Sequence, residues 1–204
     1  MPKQSMDRQL PKALTNLRLC SALRDCGQYS VEQSFSESAS CCLYLYDDGN
    51  IGYTVWTDTE PDFASKCFTA KNPNDNPIVL LPLDGRIITG NHITKGGVCD
   101  CLVLTESIMC FVEFKTNVFS QNNQTIMQRA EKGKEQLWRT YAEIIRPKCG
   151  TLNGQELCLP VYFHVVFDKM MEITGVQSQL MDLQMQFLED NKHQLFFNNE
   201  RTFV

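Results

Sequence analysis

Short apolar runs alternate with clusters of turn-forming residues through most of the chain. Aromatic and β-branched residues fill Cys41–Tyr46 and Ile51–Thr57 on either side of Asp47-Asp48-Gly49-Asn50, a pattern typical of a β-hairpin. Runs of the same kind predict further strands at Pro77–Leu83, Arg86–Thr89, Val98–Leu104, Ile108–Lys115 and Leu157–Phe167.

Other stretches repeat their apolar residues at helical spacing. This spacing predicts helices at Leu10–Arg24, Gln124–Arg146 and Met170–Asn191. Helix-stopping residues support two of the ends: Gly27 after the first helix, and Pro147 and Gly150 after the second. The Ser-rich segment Ser34–Ser40 is interpreted as a loop or a helix end, and the tail His193–Val204 as an edge strand.

Strands flanked by helices at both ends predict an α/β fold with a mixed central β-sheet. The helix and hairpin of residues 1–75 are expected to belong to the same domain as a core formed by residues 76–204. A chain of 204 residues is long enough to bury a core without disulfide or metal cross-links.

The formal net charge is -5, which counts modestly against a nucleic-acid partner because the average field repels phosphate. It does not exclude a local basic groove, since binding responds to the local patch of charge. Arg129, Lys132 and Lys134 on the second predicted helix are candidates for phosphate contacts. A solvated helix face explains each of them better, because Glu131 and Glu135 interleave with them.

The ten cysteines are predicted to be thiols. Five of them lie in apolar, strand-like runs, whereas disulfide frameworks usually lie in the loops of shorter secreted domains. Their spacing, and that of His164 and His193, does not match a zinc site. Residues 1–17 contain no apolar stretch of signal-peptide length, and nothing approaches a transmembrane span. We therefore expect a reducing cytoplasm and no membrane association.

Three charged residues interrupt the apolar runs of the predicted hairpin at residues 98–115. Alternate residues of a strand share a face, so Asp100 shares a face with Val98 and Leu102, and Glu113 with Lys115. A two-residue loop at Glu106-Ser107 places Asp100 opposite Glu113, whereas a three-residue loop would separate the faces. The sequence also predicts Cys99, Cys101 and Cys110 on the opposite face.

Charges inside apolar strands are costly to bury without a partner. A divalent cation, Mg²⁺ or Mn²⁺, would offset that cost by binding Asp100 and Glu113 through hard oxygen ligands. Such a cation polarises a phosphate and activates a water. Lys115 would then hold or deprotonate the water and stabilise negative charge on the phosphate.

The arrangement Asp-x(12)-Glu-x-Lys on a hairpin, followed by a helix and a strand, resembles the PD-(D/E)xK nuclease superfamily. The resemblance covers about residues 80–168 and implies a restriction-endonuclease-like fold acting on DNA or RNA. It assigns Asp100 and Glu113 as metal ligands and Lys115 as the catalytic lysine. The sequence departs from the family pattern in having no Pro before Asp100.

Two other family features are not assigned. Some members carry Gln-x-x-x-Tyr on the next helix, but Gln136 and Tyr141 are separated by four residues. Many members add a Glu ligand from an early helix, for which Glu32 and Glu37 are candidates. Asp84 could lean into the site, although an Asp-Gly turn explains it more simply.

Two readings compete with a nuclease. The fold could serve as a catalytically inactive binding or regulatory module, which the acidic net charge and the few basic residues favour. The simplest explanation of Glu113 and Lys115 is an ion pair on an exposed strand face. Alternatively, the Met- and Leu-rich helix Met170–Asn191 could contact a protein partner or form a homodimer, although core packing explains it equally well. His164 and Trp138 are expected to be core residues.

Overall fold

The fold is described from a computed structural model for residues 9–117, 122–149, 159–171 and 173–204. The larger of its two β-sheets has six strands in the order β1-β5-β6-β7-β8-β9. These strands are β1 (Ser36–Ser38), β5 (Ile78–Pro82), β6 (Cys101–Leu104), β7 (Met109–Phe114), β8 (Val161–Val166) and β9 (Gln194–Phe196). The first four pair antiparallel, whereas β7, β8 and β9 run parallel, so this is a mixed sheet.

The smaller sheet has four strands in the order β10-β4-β2-β3. They are β2 (Cys42–Asp48), β3 (Tyr53–Thr57), β4 (Phe68–Lys71) and β10 (Glu200–Thr202). The predicted hairpin is confirmed, because β2 and β3 pair antiparallel from Tyr44↔Thr57 to Asp48↔Tyr53. Its turn lies two residues later than the Asp/Gly/Asn cluster suggested.

Seven α-helices complete the described part of the chain. They are α1 (Lys12–Asn16), α2 (Leu19–Ala22), α3 (Val31–Ser34), α4 (Asn91–Thr94), α5 (Asn123–Arg139), α6 (Arg146–Cys149) and α7 (Gln177–Asn191). A π-helical segment, Thr140–Ile145, joins α5 to α6, and short 3-10 turns occupy Ala64–Lys66 and Thr174–Val176. No helix within these residues is long and apolar enough to cross a membrane.

Each face of the six-stranded sheet is covered by a different layer. On one face, Val79, Leu102, Phe111 and Phe163 pack with the buried sides of the helices, among them Leu137 of α5. On the other face, Leu80, Val103 and Val112 pack against Leu43 and Phe68 of the smaller sheet. The predicted α/β class with a mixed central sheet is therefore confirmed.

The predicted helix at Leu10–Arg24 is wrong as a continuous element. Arg18 has φ 52°, in the left-handed region, and separates α1 from α2. The break lets Leu14, Leu17, Leu19 and Leu23 all be buried, which a single straight helix could achieve only for residues on one face. Likewise, Ser34–Ser40 contains not only a helix end but also strand β1, which pairs with β5.

Several other predicted boundaries also move. Arg86–Thr89 is a turn with one isolated bridge between Asp84 and Ile88, not a strand. The helix predicted to end at Pro147 continues through it, since Pro147 occupies the first turn of α6, where proline is tolerated. The last long helix begins at Gln177 rather than Met170. Gly150 and residues 157–158, included in other predictions, lie outside the described residues.

The tail supplies two strands where one edge strand was predicted. Strand β9 extends the large sheet beside β8, and β10 pairs parallel with β4 in the small one. His164, predicted to be a core histidine, is 1% exposed, and its Nδ1 lies 2.8 Å from Asn198 Oδ1. Burial lowers the pKa of His164 to about 3, so the imidazole is neutral at physiological pH.

A close backbone contact joins the loop after β5 to the β2–β3 turn. Gly85 has φ +68°, and a Cβ added there would lie 2.1 Å from the carbonyl oxygen of Gly52. Only glycine therefore satisfies both the conformation and the approach at this position.

We predict that Gly85→Ala lowers the free energy of unfolding by more than about 2 kcal/mol, because it adds an overlap to the left-handed strain. Gly52→Ala should cost about 1 kcal/mol, since its φ is +78° but a Cβ there has no neighbour within 4 Å. Gly49→Ala, which also has open space, is the control and should change stability by less than about 0.5 kcal/mol. Urea denaturation measures all three, and equal costs at Gly85 and Gly49 would contradict the contact.

Candidate active site

The register of the β6–β7 hairpin sets the geometry of the candidate site. Strand pairing runs from Leu104↔Met109 to Cys101↔Val112, and the Thr105 amide donates to the Ile108 carbonyl at 3.1 Å. The hairpin loop is therefore Glu106-Ser107, as predicted. Continuing the same register by one residue places Asp100 opposite Glu113.

Asp100 lies immediately before β6 and is fixed by three backbone hydrogen bonds. Its Oδ2 accepts from the Phe114 amide at 2.5 Å. Its carbonyl oxygen accepts from the amides of Leu83 at 2.8 Å and Asp84 at 3.3 Å. Asp100 is thus attached both to β7 and to the loop that follows β5.

Glu113 and Lys115 are buried side by side at the end of β7, with 2% and 8% of their surface exposed. The Lys115 amide donates to the Val166 carbonyl at 2.7 Å, which fixes this end of β7 against β8. Lys115 Nζ forms an ion pair with Glu113 Oε1. The second carboxylate oxygen, Glu113 Oε2, is buried and has no hydrogen-bond partner among the described residues.

Burial raises the pKa of Glu113 to about 7, although Lys115 opposes the rise and Asp84 adds to it. Burial, and then the charge of Glu113, also raises the pKa of Asp100 well above its ordinary value. Two carboxylates therefore share a poorly solvated site with one lysine. Such a site disfavours its own ionised form unless a further cation is present.

Gln136 on α5 completes the surroundings of Lys115. Its Oε1 accepts from Lys115 Nζ at 2.9 Å, and its Nε2 donates to the Val98 carbonyl at 3.1 Å. Gly97, with φ +92°, permits this approach, because a Cβ there would lie 2.8 Å from Gln136 Cγ. Sequence periodicity does not assign Gln136 to the site, although a polar residue next to the apolar stripe of α5 is a signal that could have identified it.

Two neighbours of Gln136 hold the segment that leads into Asp100. Arg139 donates to the carbonyls of Gly97 at 2.7 Å and Ile93 at 2.6 Å. Thr140 Oγ1 accepts from the Cys99 amide at 2.9 Å. Residues 97–99 therefore bond to the end of α5 rather than to a neighbouring strand, which explains why β6 begins at Cys101 and not at Val98.

The same break corrects one cysteine prediction. Cys101 and Cys110 are buried in the core shared with the smaller sheet, opposite the site, as predicted. Cys99 instead lies in the core beneath the helices, because alternation does not extend beyond the start of β6. The nine cysteines in the described residues are all free thiols.

Of the acidic residues outside the hairpin, some lie near enough to affect Asp100 or Glu113 and others lie away from them. Asp84 forms the predicted Asp-Gly turn, with its Oδ1 accepting from the Gly85 amide at 3.0 Å, and its charge still acts on Glu113. The charge of Asp47, at the end of β2, raises the pKa of Asp100. Glu37 is excluded as a ligand, because it pairs with Val79 near the far end of β5. Glu32 lies on α3 beside Ser30 and Arg24.

The described residues contain no group of three or more His, Cys, Asp or Glu side chains placed to hold a metal ion. Asp100 and Glu113 nevertheless offer donors that suit a hard cation, because both are carboxylates, the charge of Glu113 acts on Asp100, and Glu113 Oε2 has no partner among the described residues. On α5, Arg129 and Lys132 are exposed and Lys134 is half-buried, with Glu131 and Glu135 exposed between them.

Comparison with protein-family models, with curated proteins and with solved structures found no match for this chain. The interpretation of the site therefore depends on its own geometry and chemistry.

We predict a distinct pH dependence for Glu113→Gln, measured by urea denaturation in EDTA. The folded-state pKa of Glu113, about 7, lies above its ordinary value of 4.5, so its contribution to stability is present below about pH 4.5 and is lost as pH rises to about 7. Between pH 5 and pH 8 the free energy of unfolding of the variant, relative to that of the wild type, should rise by about 3 kcal/mol at most. Glu131→Gln, exposed on α5, is the control. Parallel pH profiles for wild type and Glu113→Gln would contradict the burial argument.

We predict that Gln136→Leu lowers the free energy of unfolding by roughly 1–3 kcal/mol, because Lys115 Nζ and the Val98 carbonyl each lose a buried partner. Gln128→Leu, exposed on the same helix, should change it by less than about 0.5 kcal/mol. Thermal and urea denaturation of both variants measure the difference. A loss that is equal in the two variants would show that Gln136 contributes only helix propensity.

Proposed function

We propose that this chain is a metal-dependent nuclease of the PD-(D/E)xK superfamily, which hydrolyses phosphodiester bonds in DNA or RNA. The observation that carries the proposal is the unpartnered Glu113 Oε2, buried opposite Asp100 and beside Lys115. A buried carboxylate oxygen without a partner is costly, and a bound Mg²⁺ or Mn²⁺ would remove that cost.

The order of elements supports the same proposal. Three antiparallel strands, β5, β6 and β7, are followed by helix α5 and by β8, which is parallel to β7. Asp100 comes just before β6, and Glu113 and Lys115 come at the end of β7, so the three residues lie at one end of the sheet. This arrangement resembles the restriction-endonuclease-like core implied by the sequence.

The residues divide the chemistry among them. Asp100 and Glu113 would hold the divalent cation, which supplies Lewis acidity toward the phosphate and the attacking water. Lys115 donates a hydrogen bond to that water or to a phosphate oxygen and stabilises the negative charge that develops there. Gln136 keeps the lysine in place by accepting one of its three N–H bonds. Because burial raises the pKa of Glu113 to about 7, a cation held there would favour the ionised carboxylate and so displace a proton from it.

A catalytically inactive module with the same fold is the second candidate. The burial of Glu113 and Lys115 favours it, since little of either side chain reaches solvent. Part of the outward face of α7 is apolar, with Met181 58%, Met185 57% and Leu188 40% exposed, and this face could contact a protein partner or a second copy. For either function, the nine free thiols of the described residues support a reducing, cytoplasmic location.

We predict that the protein cleaves a nucleic acid in Mg²⁺ or Mn²⁺, and that Asp100→Asn, Glu113→Gln and Lys115→Met each reduce cleavage at least about a hundredfold. The carboxylate variants should also weaken metal binding, because each removes an anionic ligand. Lys115→Met should bind metal as well as the wild type or better, because it removes a positive charge beside the cation. Calorimetric metal titration and a cleavage screen over single- and double-stranded DNA and RNA measure both effects.

Asp182→Asn on α7 and Lys192→Met just after it, both at exposed positions, are matched controls and should keep both properties. Metal binding without cleavage of any substrate would favour the inactive module. If the wild-type protein binds neither Mg²⁺ nor Mn²⁺, the proposed nuclease activity is contradicted and only the resemblance in fold remains.

A further inference from the structure

An arginine lies close to the rings of two tyrosines, in the loop that bonds to Asp100. The guanidinium carbon of Arg86 lies 3.8 Å from the ring centroid of Tyr29 and 5.0 Å from that of Tyr53. We call Tyr29, Tyr53 and Arg86 the Tyr–Arg cluster. Its members come from the N-terminal segment, from strand β3 and from the loop after β5, so three distant parts of the chain meet here.

Backbone contacts connect this cluster to Asp100. Leu83 and Asp84, in the same loop as Arg86, donate to the Asp100 carbonyl. Gly85 packs against Gly52, the residue before Tyr53. On the other side, the Thr89 amide donates to the Cys26 carbonyl at 3.1 Å, and Gln28 donates to Thr89 Oγ1 at 3.1 Å.

The cluster has unused binding capacity. Arg86 forms no ion pair with any carboxylate of the described residues, so its guanidinium N–H groups remain available to a phosphate. Tyr29 keeps 37% of its surface exposed although Arg86 lies over its ring. A planar guanidinium and exposed aromatic surface are the groups on which unpaired bases stack.

We propose that the Tyr–Arg cluster is a stacking site for an unpaired nucleobase next to the candidate active site. The inference deepens the proposed nuclease function, on which it rests, by naming the substrate class: single-stranded or locally unpaired nucleic acid. A base within a duplex cannot present its face to Tyr29, because its neighbours in the helix already cover it. Arg86 would contact the phosphate that follows the stacked base and so direct the strand toward Asp100.

The test is fluorescence anisotropy with labelled DNA and RNA single strands of roughly ten nucleotides, with Ca²⁺ replacing Mg²⁺ so that binding is measured apart from cleavage. An abasic strand of the same length and a duplex are the comparison ligands. The wild type should bind the single strand more tightly than either of them. Tyr29→Ala should weaken single-strand binding roughly five- to a hundredfold and leave abasic-strand binding unchanged, whereas Tyr29→Phe should retain affinity.

Arg86→Lys should weaken binding to single and abasic strands alike, because it removes the planar fork that receives phosphate. The matched control is Tyr162→Ala, since Tyr162 stacks with Arg201 in a second Tyr–Arg pair that involves no residue of the site. Circular dichroism and urea denaturation identify any variant that fails to fold. If Tyr29→Ala does not fold, the role of the ring is decided by Tyr29→Phe, which keeps the ring and should bind the single strand as the wild type does.

Equal loss of single-strand and abasic affinity in Tyr29→Ala, no loss at all, or preference for the duplex would each overturn the inference and leave the cluster as a structural contact. Base-dependent binding without cleavage in Mg²⁺ or Mn²⁺ would instead overturn the nuclease proposal alone. Cleavage that does not depend on Tyr29 would overturn only the stacking site.

Discussion

The burial of Glu113 and Lys115 beneath α5 requires the surrounding elements to provide polar partners. Lys115 meets this requirement through Glu113 and Gln136, and Gln136 in turn bonds to the Val98 carbonyl. Arg139 and Thr140 extend the same contact to Gly97 and Cys99. One helix end therefore fixes both the lysine and the segment leading into Asp100. Glu113 Oε2 is left without a partner among the described residues, and under the proposed function this is the atom that a bound cation would satisfy.

The local features of the site were predictable from the sequence, and the long-range ones were not. The two-residue loop and strand alternation correctly placed Asp100 opposite Glu113, because both depend only on neighbouring residues. Alternation failed for Cys99, since residues 97–99 bond to a helix about 40 positions later. The break at Arg18 and the parallel pairing of β10 with β4 likewise depend on packing between distant segments, which periodicity does not encode.

The smaller sheet contributes to the site as well as to the core. Its strands cover the face of the large sheet opposite α5 through Leu43, Phe68 and their neighbours. The β2–β3 hairpin also brings Asp47, Gly52 and Tyr53 to the loop that bonds to Asp100. The hairpin of residues 42–57 therefore contributes to the geometry of a site whose sequence motif begins only at Asp100.

Electrostatics constrain the order in which ligands could bind under the proposed function. The charges of Glu113 and then Asp47 add to burial in raising the pKa of Asp100. At Glu113 burial raises the pKa and Asp84 adds to the rise, while Lys115 opposes it. The chain as a whole carries a net charge of -5. A phosphodiester would therefore meet a repulsive field until a divalent cation neutralised the carboxylates. Arg86, positive and unpaired among the described carboxylates, lies where a strand could be held as it approaches, so cation binding should precede productive substrate binding.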